Sequence, residues 1–206
     1  MNINLIICYA RSGSTIFSKF LKKSNDIVLL SEIHQLNEIY NRKLQTVKYQ
    51  AKEWYDIDVL SDDYFEGILE VYEWCKLNNK YLVIREWSFI DFTNSKLNNY
   101  QSNNFSQFYE FAKKNNIPVN TIAFVRDTID VFLSINSREV SLSNFNFAYN
   151  NFVQYIHKND IKFFKYEDFC INPFKFYLSL SMFLSLPPSE SLNLQIQNKF
   201  ITGDIN

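Results

Sequence analysis

Glycine, proline, cysteine and histidine are all scarce in this chain of 206 residues, which holds 3 Gly, 4 Pro, 3 Cys and 2 His. The shortage of ligating side chains bears first on metals. Cys8, Cys75 and Cys170 form no CxxC pair, and His34 and His157 add no ligand spacing, so no metal is expected. The three cysteines lie in largely apolar or aromatic stretches and read as buried free thiols. The N-terminus has a brief apolar run with no basic region before it, unlike a signal peptide, and the expected location is cytoplasmic. Neither sign of charge dominates, because 21 Lys+Arg face 22 Asp+Glu. That balance removes the general electrostatic footprint of a nucleic-acid or anionic-membrane binder, so any anion is held by a local arrangement. No stretch approaches the ~18 uninterrupted apolar residues that a membrane span needs.

What is present describes a folded protein. Hydrophobic residues make up 47% and charged residues 21%, which excludes disorder, and the length suits one domain over 1–206. Residues 4–9 (NLIICY) are a short continuous apolar run of the kind buried on both faces of a parallel sheet. After a tight turn, Ile16, Phe17, Phe20 and Leu21 recur at helical spacing. Further strands are predicted at 27–30, 81–84, 118–125 and 161–166. Helical patterns fill 35–79, with a break at 56–62, then 105–116, the stretch after Thr128, 145–157, and a last helix opened by Asn172-Pro173 and ending near Pro187-Pro188. The polar segment 93–104 reads as a loop. Strands alternating with helices predict a three-layer α/β domain with a mostly parallel central sheet of about five strands, of nucleotide-binding type.

In such a sheet, ligands sit beyond the carboxyl ends of the strands, where loops enter helix N-termini. The first such loop is Arg11-Ser12-Gly13-Ser14-Thr15. Its glycine permits close backbone approach, its hydroxyls donate, and the following helix offers unpaired N–H groups to an anion. A nucleoside triphosphate loop would carry Lys where Ser14 stands, so ATP or GTP hydrolysis is disfavoured. A Gly/Ser turn after a strand is also often only a turn. A second arginine, Arg126, stands at the end of the fourth strand, with Ser134 eight residues on, two helical turns later. Arg126 and Ser134 are therefore expected to face one anion.

Together these two segments resemble the sulfotransferase family, whose 5′-phosphosulfate loop reads Lys or Arg, Ser, Gly, Thr or Ser, Thr. The family's 3′-phosphate motif is Arg-Asp-Pro with a serine eight residues after the arginine, and Thr128 replaces that proline here. Lys165-Tyr166-Glu167-Asp168 with Asn172-Pro173 is similar to a family segment whose tyrosine lies near the adenine. Phe200 to Asp204 is similar to a segment whose glycine, here Gly203, closes over the 3′-phosphate; the basic residues that follow in the family are absent before Asn206, so either that cap is dispensable or the chain is incomplete.

The resemblance implies a donor, 3′-phosphoadenosine 5′-phosphosulfate, converted to 3′-phosphoadenosine 5′-phosphate, and an acceptor hydroxyl on a carbohydrate or other small molecule. It also implies roles. Arg11, with Ser12, Gly13, Ser14 and Thr15, would hold the phosphosulfate; Arg126 and Ser134 would hold the 3′-phosphate; Tyr166 would lie near the base. Small-molecule sulfotransferases carry a histidine base after the third strand, where this chain has Arg85-Glu86-Trp87. Other branches use a glutamate after the second strand, and Ser31-Glu32 matches that setting, which makes Glu32 the candidate base. His34 competes as base, or orients Glu32, or contacts the acceptor; without the resemblance Glu32 reads as a surface or salt-bridged carboxylate. Arg85 is a candidate for stabilising the transferring group, against a reading in which it pairs with Glu86 or Asp91. Arg138 either contacts a ligand or caps a helix, and His157 reads as a helix-end surface group. Two other functions stay open, a catalytically inactive nucleotide-binding protein of the same fold and a P-loop kinase. The oligomeric state is open as well.

Overall fold

The computed structural model describes residues 1–37, 42–93, 102–136 and 140–187. Five strands form one sheet: β1 (Ile3–Cys8), β2 (Ile27–Ile33), β3 (Tyr81–Glu86), β4 (Val119–Val125) and β5 (Lys162–Lys165). All four pairings are parallel, and the spatial order is β2-β3-β1-β4-β5. Every residue of β1 is buried because this strand lies at the centre of the sheet with both faces covered. Side chains alternate across it. Ile3, Leu5 and Ile7 enter one core, while Ile6 and Cys8 enter the other.

The first core is covered by α2 (Val47–Tyr55), α3 (Tyr64–Leu77), α5 (Gln107–Lys114) and α7 (Leu142–Lys158), which supply Ala51, Ile68, Phe108 and Phe152 among others. The second is covered by α1 (Ser14–Leu21), α8 (Tyr166–Ile171) and α9 (Pro173–Leu184). There Phe17 stacks on Phe124 at 4.8 Å between centroids and meets Phe169 and Phe176 edge-on at 5.6 Å each. Burying a ring of this size contributes ~2–3 kcal/mol, so the small second core is carried by aromatic packing. The remaining helices are the short α4 (Phe89–Phe92) and α6 (Thr128–Asn136), and a single 3₁₀ turn spans Lys43–Gln45.

Helix starts follow local chemistry. Thr46, Asp63, Ser106, Ser141 and Asn172 each accept a backbone N–H in the first turn of the helix that follows, and Pro173 occupies the first position of α9. Two strands run further than their apolar runs foretell. β2 continues through Ser31 and Glu32, with a register shift against β3 between Ser31 and Ile33, and β3 continues through Arg85 and Glu86. Polar residues extend these strands because their side chains find partners at the sheet's carboxyl edge. The 35–79 helical region is correspondingly shorter, since residues 35–37 form a turn and the helices proper are α2 and α3. Most of the 93–104 loop lies outside the described residues. Cys8 and Cys75 are buried free thiols as anticipated, but Cys170 is exposed, because it falls on the outer side of the short α8.

Candidate functional site

The chain passes from β1 to the β2 side of the sheet, returns through β3, and then crosses to β4, so the direction of winding reverses at β1. The loops leaving β1 and β4 therefore meet at the carboxyl edge beside this reversal, the usual ligand position in sheets of this kind. Both arginines lie there. Arg11 Nε donates to Ser134 Oγ at 2.8 Å, and Arg126 Nη1 donates to the Arg11 carbonyl at 3.4 Å. Arg11, Arg126 and Ser134 are thus brought together from positions more than 100 residues apart in the chain. Ser134 accepts from Arg11, a partner that the sequence pattern does not give it.

Arg126 is held from several sides. Its Nη2 pairs with Asp130 at 3.2 Å, its guanidinium lies 5.0 Å from the centre of the Tyr166 ring, and its carbonyl accepts the Tyr149 hydroxyl. Its Nε is buried and has no hydrogen-bond partner among the described residues, a donor available to a ligand. Tyr166 also explains the glycine of the first loop. Gly13 has φ +80°, and a Cβ there would stand 2.3 Å from two carbons of the Tyr166 ring. The Gly13 carbonyl accepts from Ile16 and Phe17 N–H, which starts α1 directly behind the turn. The Tyr166 phenol is pushed up to about 12, first by a hydrogen bond with Cys170 and then by burial, so it stays protonated. Ser12 is buried, and among the described residues its hydroxyl meets no partner but the Cys8 thiol; Thr15 is exposed.

A second cluster abuts the same loop on the β3 side. Arg85, 4% exposed, donates from Nη1 to Ser14 Oγ at 2.8 Å and from Nη2 and Nε to Ser31 Oγ at 2.8 and 3.1 Å. Its Nη2 also pairs with Glu32 Oε1 at 3.2 Å. Arg85 therefore pairs with Glu32 and not with Glu86 or Asp91, because it points to the β2 side of the sheet's carboxyl edge. The other oxygen, Glu32 Oε2, accepts from Gln45 Nε2 at 3.1 Å and faces Arg42 Nη2 at 3.6 Å. Glu32 is a half-buried carboxylate clamped in ion pairs, the salt-bridged environment expected of it without the resemblance. Its φ of 56° and that of Arg11, 64°, are left-handed. Among the described residues the other non-glycine residues of this kind are Asp, Asn and Ser, all but Asn104 at helix C-termini, where the conformation is common; for long charged side chains it costs ~1–2 kcal/mol and marks positions held by their surroundings.

His34 occupies a different environment. Its Nδ1 accepts the Leu36 N–H at 3.1 Å, which assigns the ring proton to Nε2, and that atom faces Asp91 Oδ1 at 3.3 Å. Neither side chain has exposed surface. With both nitrogens engaged, His34 has no open lone pair for an acceptor proton, and it fixes the end of β2. Beside it, Glu86 accepts from Phe108 N–H at 2.8 Å, from the Ser106 hydroxyl and from the Tyr64 hydroxyl at 3.3 Å. Burial, reinforced by Asp91, pushes the Glu86 carboxyl up to about 7. A cavity of about 290 Å³ opens nearby between Gln35, Thr46, Lys48, Asp63 and Tyr64; His34 backs its wall without exposing its ring. This cavity is on the β2 side and does not include the first loop.

Arg42 and Gln45 escaped the sequence reading, since neither falls in a motif; only their nearness in sequence to Glu32 hinted at them. His157 lies in the last turn of α7 at the surface. Arg138 and Gly203 lie outside the described residues. Among the described residues no group of three or more His, Cys, Asp or Glu side chains could hold a metal ion, and no helix is long and apolar enough to cross a membrane.

Among solved structures, the chain is similar to a sulfotransferase domain from the curacin biosynthetic pathway, with a TM-score of 0.56 and 15% identity over 99% of this chain and 81% of that one. The fold is that of a sulfotransferase domain. A sulfotransferase from Alicyclobacillus acidocaldarius aligns over 95% of this chain and 90% of its own, at a TM-score of 0.48 and 10% identity. No family model matches the sequence, and no curated protein matches it. On the sulfotransferase fold, Arg11, Gly13, Arg126, Ser134 and Tyr166 make one contact circuit, and Ser14, Arg85, Ser31 and Glu32 make a second that begins at the next residue of the same loop.

Proposed function

We propose that this protein is a sulfotransferase that moves a sulfuryl group from 3′-phosphoadenosine 5′-phosphosulfate to a hydroxyl of a carbohydrate or other small molecule. The observation that carries this reading is the position of the first loop between two clusters. On one side it is tied to Arg126 through the Arg11 carbonyl, and on the other to Glu32 through Ser14 and Arg85. A nucleotide with phosphate groups at both its 3′ and 5′ positions suits such an arrangement, because its two anions need separate cations held at fixed spacing. The buried, unpartnered Arg126 Nε and the loop hydroxyls of Ser12 and Ser14 fit that ligand, and Tyr166 offers a ring surface beside the loop.

When bound, the donor supplies an activated sulfuryl group whose sulfur–oxygen bond to phosphate breaks as the acceptor oxygen bonds to sulfur. Arg11 and the start of α1 hold the 5′ side, and Arg126 holds the 3′-phosphate. Arg85, which reaches both Ser14 and Glu32, lies between loop and base and opposes the charge on the transferring oxygens. Glu32 takes the proton of the acceptor hydroxyl. The products are a sulfate ester and 3′-phosphoadenosine 5′-phosphate, so no oxidant or metal enters the balance.

Two substitutions test separate halves of this reading. Arg126→Ala weakens binding of 3′-phosphoadenosine 5′-phosphate by about 1.5–3 kcal/mol in isothermal titration, the loss of a charge-assisted contact. An unchanged dissociation constant removes Arg126 from the site. Glu32→Gln leaves that affinity nearly intact and abolishes transfer of radiolabelled sulfate across a panel of hydroxyl acceptors. Turnover that survives the substitution excludes Glu32 as the base.

A further inference from the structure

The acceptor end of the site carries more positive charge than it neutralises. Glu32 is a single carboxylate between two guanidiniums, Arg85 at 3.2 Å and Arg42 at 3.6 Å. Arg85 has three further donor contacts, to Ser14 and Ser31, whereas the Arg42 guanidinium has none among the described residues, where its buried Nη1 meets no hydrogen-bond partner. Arg42 is nonetheless held in place. Its guanidinium stacks over the Trp87 ring, 3.8 Å from the centroid, and the Trp87 backbone N–H donates to the Ile33 carbonyl. Burial disfavours the charged form and pulls Arg42 below its ordinary range, only partly offset by Glu32. The adjoining Lys43 pairs with no carboxylate among the described residues and lies 5.8 Å from the Tyr49 ring.

A stacked guanidinium with a spare N–H is a preformed fork for an anionic oxygen group. In the proposed transfer the donor's sulfonate occupies Arg85, and Glu32 becomes neutral on taking the proton, which leaves Arg42 without a counter-charge. We infer that Arg42 is a specificity-determining residue that selects acceptors bearing an anionic group, such as a carboxylate, phosphate or sulfate, close to the reacting hydroxyl. This inference rests on the reading of Glu32 as the acceptor end of the site. Trp87 is its positioning residue, since the ring fixes the guanidinium plane.

The test compares matched pairs of probes, glucuronate with glucose and 4-hydroxybenzoate with 4-hydroxybenzyl alcohol, by isothermal titration. The wild-type protein is first saturated with 3′-phosphoadenosine 5′-phosphate so that the first loop cannot capture the carboxylate. In at least one pair the carboxylate binds about tenfold tighter than the neutral partner, the factor expected for one charge-assisted hydrogen bond. Arg42→Gln brings that ratio to near one, Arg42→Lys retains part of it, and Trp87→Leu reduces it while the native circular dichroism persists. Equal binding within both pairs, no binding by any probe, or a ratio that Arg42→Gln leaves unchanged overturns the inference. The preliminary nucleotide titration is independent of Arg42, so its failure counts against the proposed function and leaves the Arg42 result to be read in the unsaturated protein.

Discussion

At the scale of single residues, Gly13 shows how much one position has to satisfy. Its backbone is left-handed at φ +80°, and the Tyr166 ring fills the space a side chain would need. The two demands are separable by mutation. Gly13→Ala costs ~1–2 kcal/mol for the backbone conformation alone, plus the displacement of the ring. In urea unfolding the substitution lowers stability by more than that backbone share, and Tyr166→Ala in the same chain recovers only the steric remainder. A Gly13→Ala protein as stable as wild type contradicts the close contact. The neighbouring Arg11 adopts the same region at φ 64° without glycine's freedom, and its side chain reaches Ser134 from that conformation. Strain at Arg11 and Glu32 and its absence from other long charged side chains among the described residues single out the two ends of the proposed transfer path.

At the scale of elements, the exit of β3 is fastened to the start of α5. Glu86 accepts from the Ser106 hydroxyl and the Phe108 N–H, so a buried carboxylate caps the positive end of that helix. Burial raises its pKa from an ordinary 4.5 to about 7, which means the folded chain binds the Glu86 proton more tightly than the unfolded chain does. The sign follows from linkage: this group's contribution to stability falls as pH rises from about 4.5 to about 7 and is level on either side. Glu86→Gln keeps an acceptor for Phe108 and removes the titration, so its unfolding free energy, measured in urea between pH 5 and 7.5, lacks the decline that wild type shows. A decline of equal size in both proteins assigns it to another group. Glu86 also marks how far the sequence was legible. The β1–loop–α1 and β4–loop–α6 units were readable because local apolar spacing and turn chemistry determine them. The extra length of β2 and β3 was not, since Ser31, Glu32, Arg85 and Glu86 are polar and join the sheet through partners distant in sequence. Arg85 shows the same limit: its own neighbours Glu86 and Asp91 looked like its partners, but Glu86 is drawn to α5, Asp91 to His34, and Arg85 to Glu32. Arg42 belongs to no local pattern and is marked only by its place over the Trp87 ring, 45 positions along the chain.

At the scale of the whole molecule, the strand order β2-β3-β1-β4-β5 gathers groups from across the chain on one edge of the sheet. Arg11, Arg126 and Tyr166 leave three successive strands in space, β1, β4 and β5, that are far apart in sequence. A ligand that contacts all three joins elements held together otherwise by strand pairing and the aromatic core around Phe17, so its binding is felt by the global unfolding equilibrium. At a concentration a hundredfold above its dissociation constant, 3′-phosphoadenosine 5′-phosphate adds ~2.7 kcal/mol of stability, which for a chain of this length is a rise of roughly 5–10 °C in unfolding midpoint. Arg126→Ala at the same ligand concentration loses most of that rise, because its weaker affinity lowers the saturation term. Adenosine 5′-phosphate, which lacks the 3′ group, gives wild type and Arg126→Ala nearly the same small shift. Thermal unfolding followed by circular dichroism therefore reports whether β1 and β4 grip one ligand. If the bisphosphate protects wild type and Arg126→Ala equally, the two arginine-bearing turns do not act on the same molecule, and the sulfuryl-transfer reading loses its support.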